Sequence, residues 1–217
     1  MKKKGCVCLG AALFMLVPVA GAVADESLFR MPSLKLGVVK FSGNIEASRD
    51  GQFSDVPFSS SMAVSPLVTL IQDPVYFSDT SRWGYHTEIS GGYFNLDYDD
   101  DDHRGFVDGE LKGFSVALTP VLFYQWGDRE LCHSCKSWRV EAGAGVNYLY
   151  ADGELNRRND PKLSFDSSGF GFNAHLGAVA NYKQWEIGLR LVVPTKVDDD
   201  DVSIEHSLSS VSLGYRF

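Results

Sequence analysis

The sequence predicts an all-β protein, an eight-stranded antiparallel up-and-down transmembrane β-barrel that follows a cleaved signal peptide. Three observations carry this prediction. The chain begins with an export signal, eight later segments alternate apolar and polar residues, and the connections between these segments alternate between short and long.

The N-terminus has the three parts of a secretory signal. Lys2, Lys3 and Lys4 form a positive region, the apolar stretch Val7–Ala20 follows, and Ala22-Val-Ala24 provides small residues for cleavage. The apolar stretch is shorter than the ~20 residues that a membrane-spanning helix needs. Residues 1–24 are therefore expected to be a removed signal peptide, and residues 25–217 an outer-membrane β-barrel domain.

The charge balance excludes two classes of partner. The whole chain has a formal net charge of -8, and loss of the signal lysines makes the mature chain more acidic. This acidity argues against nucleic acid as a partner and against a basic face that docks on anionic lipid.

The last strand shows the alternation most clearly. From Ser209 to Phe217 the odd positions become apolar and end in aromatic residues, while the even positions are small or polar. Neighbouring side chains of a strand point to opposite faces, so this strand has one apolar and one polar face. In an exported protein the apolar face of such a terminal strand is expected to face lipid.

Seven earlier segments resemble it, although the alternation is broken in the first two. They are Leu34–Ser42, Met62–Gln72, Trp83–Asn95, Phe114–Trp126, Trp138–Tyr150, Phe170–Tyr182 and Trp185–Val193. Most have the ~9–11 residues that a tilted strand needs to cross lipid, whereas soluble strands have a mode of ~5–6. Segment length therefore favours a membrane barrel over a soluble sandwich.

The connections indicate an orientation. Short periplasmic turns are expected at Asp73–Arg82, Gly127–Ser137 and Lys183–Gln184, with both termini periplasmic. Longer outer loops are expected at Gly43–Ser61, Asp97–Gly113, Ala151–Ser168 and Pro194–Glu205. All four tryptophans then lie at the periplasmic strand ends, and tyrosine and phenylalanine residues lie at the other ends. Two aromatic girdles are typical of the two lipid headgroup boundaries.

At this point the chain resembles the small eight-stranded outer-membrane barrels of Gram-negative bacteria, such as the membrane domain of outer membrane protein A. The segment that carries the resemblance is Val211-Ser-Leu-Gly-Tyr-Arg-Phe217. In that family such a strand is recognised by the barrel-assembly machinery, which implies that Val211, Leu213, Tyr215 and Phe217 form the assembly signal. The resemblance also implies a monomer that contacts outer-membrane lipid and lipopolysaccharide.

The polar face of the segments carries charges of both signs. The predicted interior positions are Lys35, His86, Glu88, Arg139, Glu141, His175, Glu186 and Arg190. An eight-stranded barrel has an interior just wide enough for side chains to fill, and buried charges need partners. The main expectation is an ion-paired plug, and the alternative is a narrow solute path.

Two features could support other activities. Pro66 and Pro120 interrupt strands and cannot donate ladder hydrogen bonds, so each predicts a gap or bulge, or else a lateral opening for lipid. Glu205, His206 and Ser207 have the residue types of a lipid-modifying enzyme. Adjacent side chains of a strand diverge, however, and no catalytic residue is predicted.

The loops and turns hold candidate ligand groups. Two acidic runs, Asp99-Asp100-Asp101-Asp102 and Asp198-Asp199-Asp200-Asp201, predict either solvated loops or weak Ca²⁺ or Mg²⁺ binding. Cys132 and Cys135 predict a local disulfide in an oxidising compartment, with a redox pair or a zinc site as alternatives. No other cofactor is predicted.

The leading functional hypothesis is a non-enzymatic barrel that displays acidic outer loops, for envelope integrity, surface or cation interaction, or adhesion. A narrow channel or lateral-gate transporter of small or apolar solutes is the alternative. A lipid A-modifying barrel enzyme is the second alternative, because one fold serves all three activities.

Overall fold

A computed structural model describes residues 33–49, 52–60, 65–98, 106–129, 135–157, 163–199 and 202–215. The predicted signal peptide lies outside these ranges. The described residues form ten strands, with the following bounds. They are β1 Ser33–Arg49, β2 Gln52–Ser60, β3 Ser65–Ile71, β4 Val75–Tyr76, β5 Trp83–Tyr98, β6 Phe106–Gly127, β7 Lys136–Arg157, β8 Leu163–Tyr182, β9 Trp185–Asp199 and β10 Val202–Tyr215. No helix in the described ranges is long and apolar enough to cross a membrane.

The strands close into one antiparallel barrel with eight positions around its wall. β2 and β3 together fill the second position, since both pair with β1 on one side and with β5 on the other. From β5 to β10 each strand pairs with the next in the chain. The short strand β4 lies outside this order and pairs with β5. β10 then pairs with β1 from Leu34↔Tyr215 to Ala47↔Val202. The predicted fold class of an eight-stranded antiparallel barrel is confirmed.

The outside of the barrel is apolar, as expected for a surface that faces lipid. Large hydrophobic side chains are exposed on every full-length strand, from Tyr150 at 37% to Phe170 at 76%. In water such a continuous apolar surface would be unstable, because isolated patches rarely exceed a few hundred Å² on soluble monomers. Trp83, Tyr124 and Trp126 stack edge to face at the short-turn end, which is the end that carries the Tyr182–Trp185 turn.

The strands are longer than the sequence pattern predicts. β6 and β7 each have 22 residues, and their pairing continues to Phe106↔Arg157. The segments expected as long outer loops are therefore largely paired hairpins, and that part of the prediction is wrong. The alternation reverses there, because water rather than lipid meets the outer face: Lys112 and Asp152 point outward, and Leu111 and Ala151 point inward. We call this end the long-hairpin end.

The interior also differs from a purely polar plug. Near the long-hairpin end the inward side chains form an apolar cluster, which includes Phe58, Phe94, Leu96, Leu111 and Leu149. These residues occupy the inward phase of their strands, so the change from polar to apolar occurs without a change of register in β5, β6 or β7. The long-hairpin end thus has a hydrophobic core of its own.

Inward glycines make room for rings on neighbouring strands. A Cβ built on Gly113 would lie 2.6 Å from the Phe94 ring and would also collide with the Tyr150 carbonyl oxygen. The imidazole of His175 likewise packs over Gly143, where an added Cβ would collide with its Cε1 and Nε2 atoms. Small and large side chains therefore alternate across the lumen, which lets a narrow barrel pack densely.

We expect Gly113→Ala to destabilise the barrel by about 1–3 kcal/mol, because the added methyl group overpacks a site bounded by backbone atoms. Urea unfolding in lipid vesicles, followed by tryptophan fluorescence, measures the free energy of unfolding. Gly91→Ala is the matched control, since its nearest neighbour would be the Ser115 carbonyl oxygen at 3.8 Å. Equal free energies of unfolding for the two variants would contradict this packing argument.

Candidate functional site

A balanced ionic network fills the middle of the lumen. Its cations are Lys35, Arg139 and Arg190, and its anions are Glu88, Glu141 and Glu186. Arg139 Nε donates to Glu141 Oε1 at 2.5 Å, and Arg190 Nη2 donates to Glu88 Oε2 at 2.5 Å. Lys35 pairs with Glu186, which also lies 3.4 Å from Arg139 Nη2.

Strand alternation brings these groups together from distant parts of the chain. Lys35 comes from β1, Glu88 from β5, Arg139 and Glu141 from β7, and Glu186 and Arg190 from β9. The structure places all eight residues predicted for the interior on the inward face. Of these, only Arg190 is more than slightly exposed, with 14% of its side chain accessible.

An aromatic layer closes the network toward the short-turn end. The Arg139 guanidinium lies 5.1 Å above the Phe123 ring, and the His86 ring lies 5.6 Å from the same ring. Tyr76 of β4 packs edge to face on Phe123 at 5.5 Å and donates its hydroxyl hydrogen to Gln125 Oε1 at 3.0 Å. The sequence analysis missed Tyr76, because two residues of strand give no periodic signal.

His86, Glu88 and Glu141 offer three ligand atoms within 4.8 Å of one another. Such a set could in principle hold a metal ion. Here Glu88 already accepts hydrogen bonds from Arg190, and Glu141 from Arg139. A divalent cation would have to displace both guanidinium groups from a network whose charges already balance. The geometry is that of an ion-paired plug.

A small polar chamber separates the ionic network from the apolar cluster. It has a volume of about 40 Å³, with Arg190 on one side and Leu67 and Leu208 on the other. Its walls carry buried polar atoms with no hydrogen-bond partner in the described ranges: Asn147 Oδ1, Asn173 Oδ1 and both ring nitrogens of His175. The chamber has room for a few water molecules, since one needs roughly 10–15 Å³.

The sequence analysis missed the two asparagines of this chamber. Their positions were predictable, because Asn147 and Asn173 share the inward phase of Arg139 and His175. Their significance was not, because only the closed barrel shows which inward residues meet across the lumen.

Within the described residues, the ladder between β8 and β9 is incomplete. β8 pairs with β9 only from Tyr182↔Trp185 to His175↔Val192, although β8 continues to pair with β7 as far as Leu163. β9 continues beyond Val192 and pairs there with β10 alone. We call the stretch between Leu163–Ala174 of β8 and Val193–Asp199 of β9 the seam. Its two edges touch near Gly171, whose added Cβ would lie 3.1 Å from the Lys196 carbonyl oxygen.

A proline explains where the seam begins, although it is not one of the two that the sequence analysis selected. The β9–β10 register shifts between His206 and Leu208, opposite the segment that contains Pro194. Pro120 keeps its register on both sides and lacks a ladder pair with β7, so of the two predicted outcomes, a gap or a bulge, the structure shows a gap. Pro66 likewise pairs in register with Val38.

Several predicted groups lie at the edge of what the structure describes. Asp99, Asp100, Asp101, Asp102, Asp200, Asp201, Cys132 and Phe217 fall outside the described residues. Asp198 and Asp199 end β9, but their side chains are not described, nor are those of His206 and Ser207. Cys135 forms a disulfide. Its pairing with Cys132 stays a prediction, as does cation binding by the acidic runs.

The residues of the predicted assembly signal that the structure describes lie on the outward face of β10. Val211 and Leu213 are each 50% exposed. Tyr215 packs on Trp185 with ring centroids 5.1 Å apart and donates its hydroxyl hydrogen to Gln184 Oε1 at 2.7 Å. Recognition by the assembly machinery stays a prediction.

Solved structures with a similar fold are outer-membrane barrels. No family model and no curated protein matches the chain. The attachment invasion locus protein Ail of Yersinia pestis is 16% identical, with coverage of 86% of this chain and 97% of Ail, and a TM-score of 0.43. Neisserial surface protein A is 7% identical (85% and 97% coverage, TM-score 0.42), and OprG of Pseudomonas aeruginosa is 14% identical (87% and 97%, TM-score 0.41).

The chain has the architecture of the small eight-stranded outer-membrane β-barrels. The closed antiparallel wall and the exposed apolar outer face carry this assignment.

We expect Glu186→Gln to destabilise the barrel by roughly 3–5 kcal/mol, because it leaves Lys35 and Arg139 short of a buried counter-charge. Chemical unfolding in vesicles measures this loss. Glu110→Gln is the control, because it removes the same charge from an exposed pair, with Lys112 at 2.7 Å. Exposed ion pairs contribute about 0–1 kcal/mol, so this variant should lose little stability. A Glu186 variant as stable as wild type would show that the network does not hold the lumen together.

Proposed function

We propose that this protein is a non-conducting, non-enzymatic barrel of the bacterial outer membrane that presents its long hairpins at the cell surface. The short-turn end and both termini then face the periplasm. The observation that carries the proposal is the closed lumen, in which an aromatic layer, an ionic network and an apolar cluster follow one another along the axis.

Each layer opposes conduction for its own reason. The ionic network offers a passing ion no unpaired charge, since its three cations and three anions already pair. The apolar cluster contains fully buried Leu111, Leu149 and Leu155, which hold no polar group for a hydrated ion. An ion would have to cross both layers and lose its water at the second.

The proposed role of the long hairpins is surface interaction. They continue as paired strands beyond the aromatic residues Phe114 and Tyr150, and so form a rigid platform rather than loose loops. The outward residues of this platform include Lys112, Asp152 and Asp166, all exposed. The acidic runs at residues 99–102 and 198–201 would add negative charge, suited to a cationic partner or to weakly bound Ca²⁺ or Mg²⁺.

Planar-bilayer recording tests the proposal. We expect purified wild-type protein to give no discrete current steps, because no hydrated path crosses the lumen. Folding is checked in the same preparation by the faster migration of the unheated barrel on a denaturing gel. Reproducible openings of one defined size from the folded protein would overturn the proposal.

The seam favours a second candidate, lateral entry of a small apolar or amphipathic solute. It begins near the membrane boundary, beside the chamber lined by Asn173, His175 and Val192. Because β8 and β9 have no ladder pair beyond His175↔Val192, their edges separate there at a lower free-energy cost than where the ladder is complete.

A disulfide across the seam tests this candidate. A Cβ built on Gly171 would lie 3.0 Å from Val197 Cγ2, so Gly171→Cys with Val197→Cys can join the two strands. Lateral entry predicts that uptake of an apolar fluorescent probe into cells falls to the level of the gene deletion when the pair is oxidised, and recovers on reduction.

Ala151→Cys with Ser167→Cys is the matched control, because that pair joins β7 to β8 where the ladder is complete. Equal uptake by the oxidised and reduced forms of the seam variant would contradict lateral entry.

A further inference from the structure

The outward face of β8, β9, β10 and β1 carries an apolar groove. Its volume is about 490 Å³, within the range of roughly 300–1,000 Å³ for ligand sites. Small outward residues make the depression, since Ala178 and Ser209 lie among Leu176, Leu189 and Leu191. The groove lies directly below the seam, because the Leu176↔Leu191 pair is next to the last pair of that ladder.

A lysine borders the groove on the side of the long hairpins. The outward positions of β1 run Leu34, Leu36 and Val38, and Lys40 follows them. Lys40 is exposed, and its strand partner on β10 is Ser209. Toward the long-hairpin end, Ser209 is the next outward residue of β10 after the apolar Val211. The apolar band on this side therefore ends at Lys40, at the height where lipid headgroups begin.

No carboxylate pairs with Lys40 within the described ranges. Lys112, the comparable outward lysine of β6, is bonded to Glu110 at 2.7 Å, and this hydrogen bond raises the pKa of Lys112. A lysine at this height extends its ammonium group into the headgroup region. Lipid phosphates are the anions within its reach there.

We infer that this groove binds one acyl chain of lipopolysaccharide, with a lipid A phosphate held by Lys40. The apolar lining residues, among them Val38, Leu189 and Leu191, contact the acyl chain. The ammonium group of Lys40 meets the phosphate at the end of the apolar band. The choice of lipopolysaccharide rests on the proposed orientation, which puts the long-hairpin end at the cell surface. The groove and its lysine do not depend on that orientation.

The test is native mass spectrometry of the barrel in detergent with added diphosphoryl lipid A, which counts bound lipid at each concentration. We expect saturable binding of one lipid A molecule. Lys40→Gln should weaken it roughly fivefold, the effect of about one lysine at an anionic lipid surface. Ala178→Phe should abolish the saturable component by filling the groove.

Two controls separate this site from general attraction. Lys112→Gln removes an outward lysine that lies on β6, away from the groove, and Ala144→Phe adds the same ring to an exposed outward position of β7. Both variants should bind as wild type does. Gel mobility of unheated samples verifies that every variant folds.

The outcomes are distinct. Equal losses in the Lys40 and Lys112 variants, or no loss in the Ala178 variant, would overturn the site. Equal binding of phosphatidylglycerol, with the same dependence on Lys40, would overturn lipopolysaccharide as the ligand. Because binding in detergent is independent of orientation, a failure of the proposed topology would appear only in surface labelling of intact cells.

Discussion

The structure depends on one constraint: backbone polar groups surrounded by hydrocarbon have no water to bond, so the sheet must leave no free edge. The pairing of β10 with β1 meets this constraint by closing the sheet. Closure of eight strands then limits the interior to the space of side chains. The small inward residues, the rings packed over glycines and the dense ionic network all follow from that limit.

The same constraint explains why the seam lies where it does. Alongside the apolar outer residues Ile187, Leu189 and Leu191, β8 and β9 keep a complete ladder. The ladder between β8 and β9 stops beyond Val192, next to the segment with Pro194, and from there β9 pairs with β10 alone. An unpaired edge is tolerable toward water but not deep in lipid. The end of the ladder thus coincides with the approach to the membrane boundary, close to the groove and to Lys40.

The lumen combines two ways of filling a narrow space. Charged groups in the middle need exact partners, because a buried carboxylate without a cation is strongly destabilising. Leucine and phenylalanine residues near the long hairpins need only complementary shapes to pack, because they carry no polar side-chain atoms. The chamber with Asn147, Asn173 and His175 lies where these two regimes meet. The side-chain oxygens of both asparagines and the ring nitrogens of His175 have no hydrogen-bond partner among the described residues.

The sequence by itself determined the class of fold, because alternation has a period of two and fixes which face each residue takes. The eight inward residues, six of them charged and two of them histidines, could be predicted from that period, as could the outward tryptophans. It did not determine how far the hairpins extend, since outside the membrane the outward face becomes polar and the inward face apolar, which reverses the pattern of the membrane segments. It also did not determine that the β8–β9 ladder ends next to Pro194, whereas Pro120 leaves a gap without a change of register. Only the tertiary structure decided which inward residues meet across the lumen and where the wall lacks a ladder. Those properties depend on the register between strands, which arises when the barrel closes.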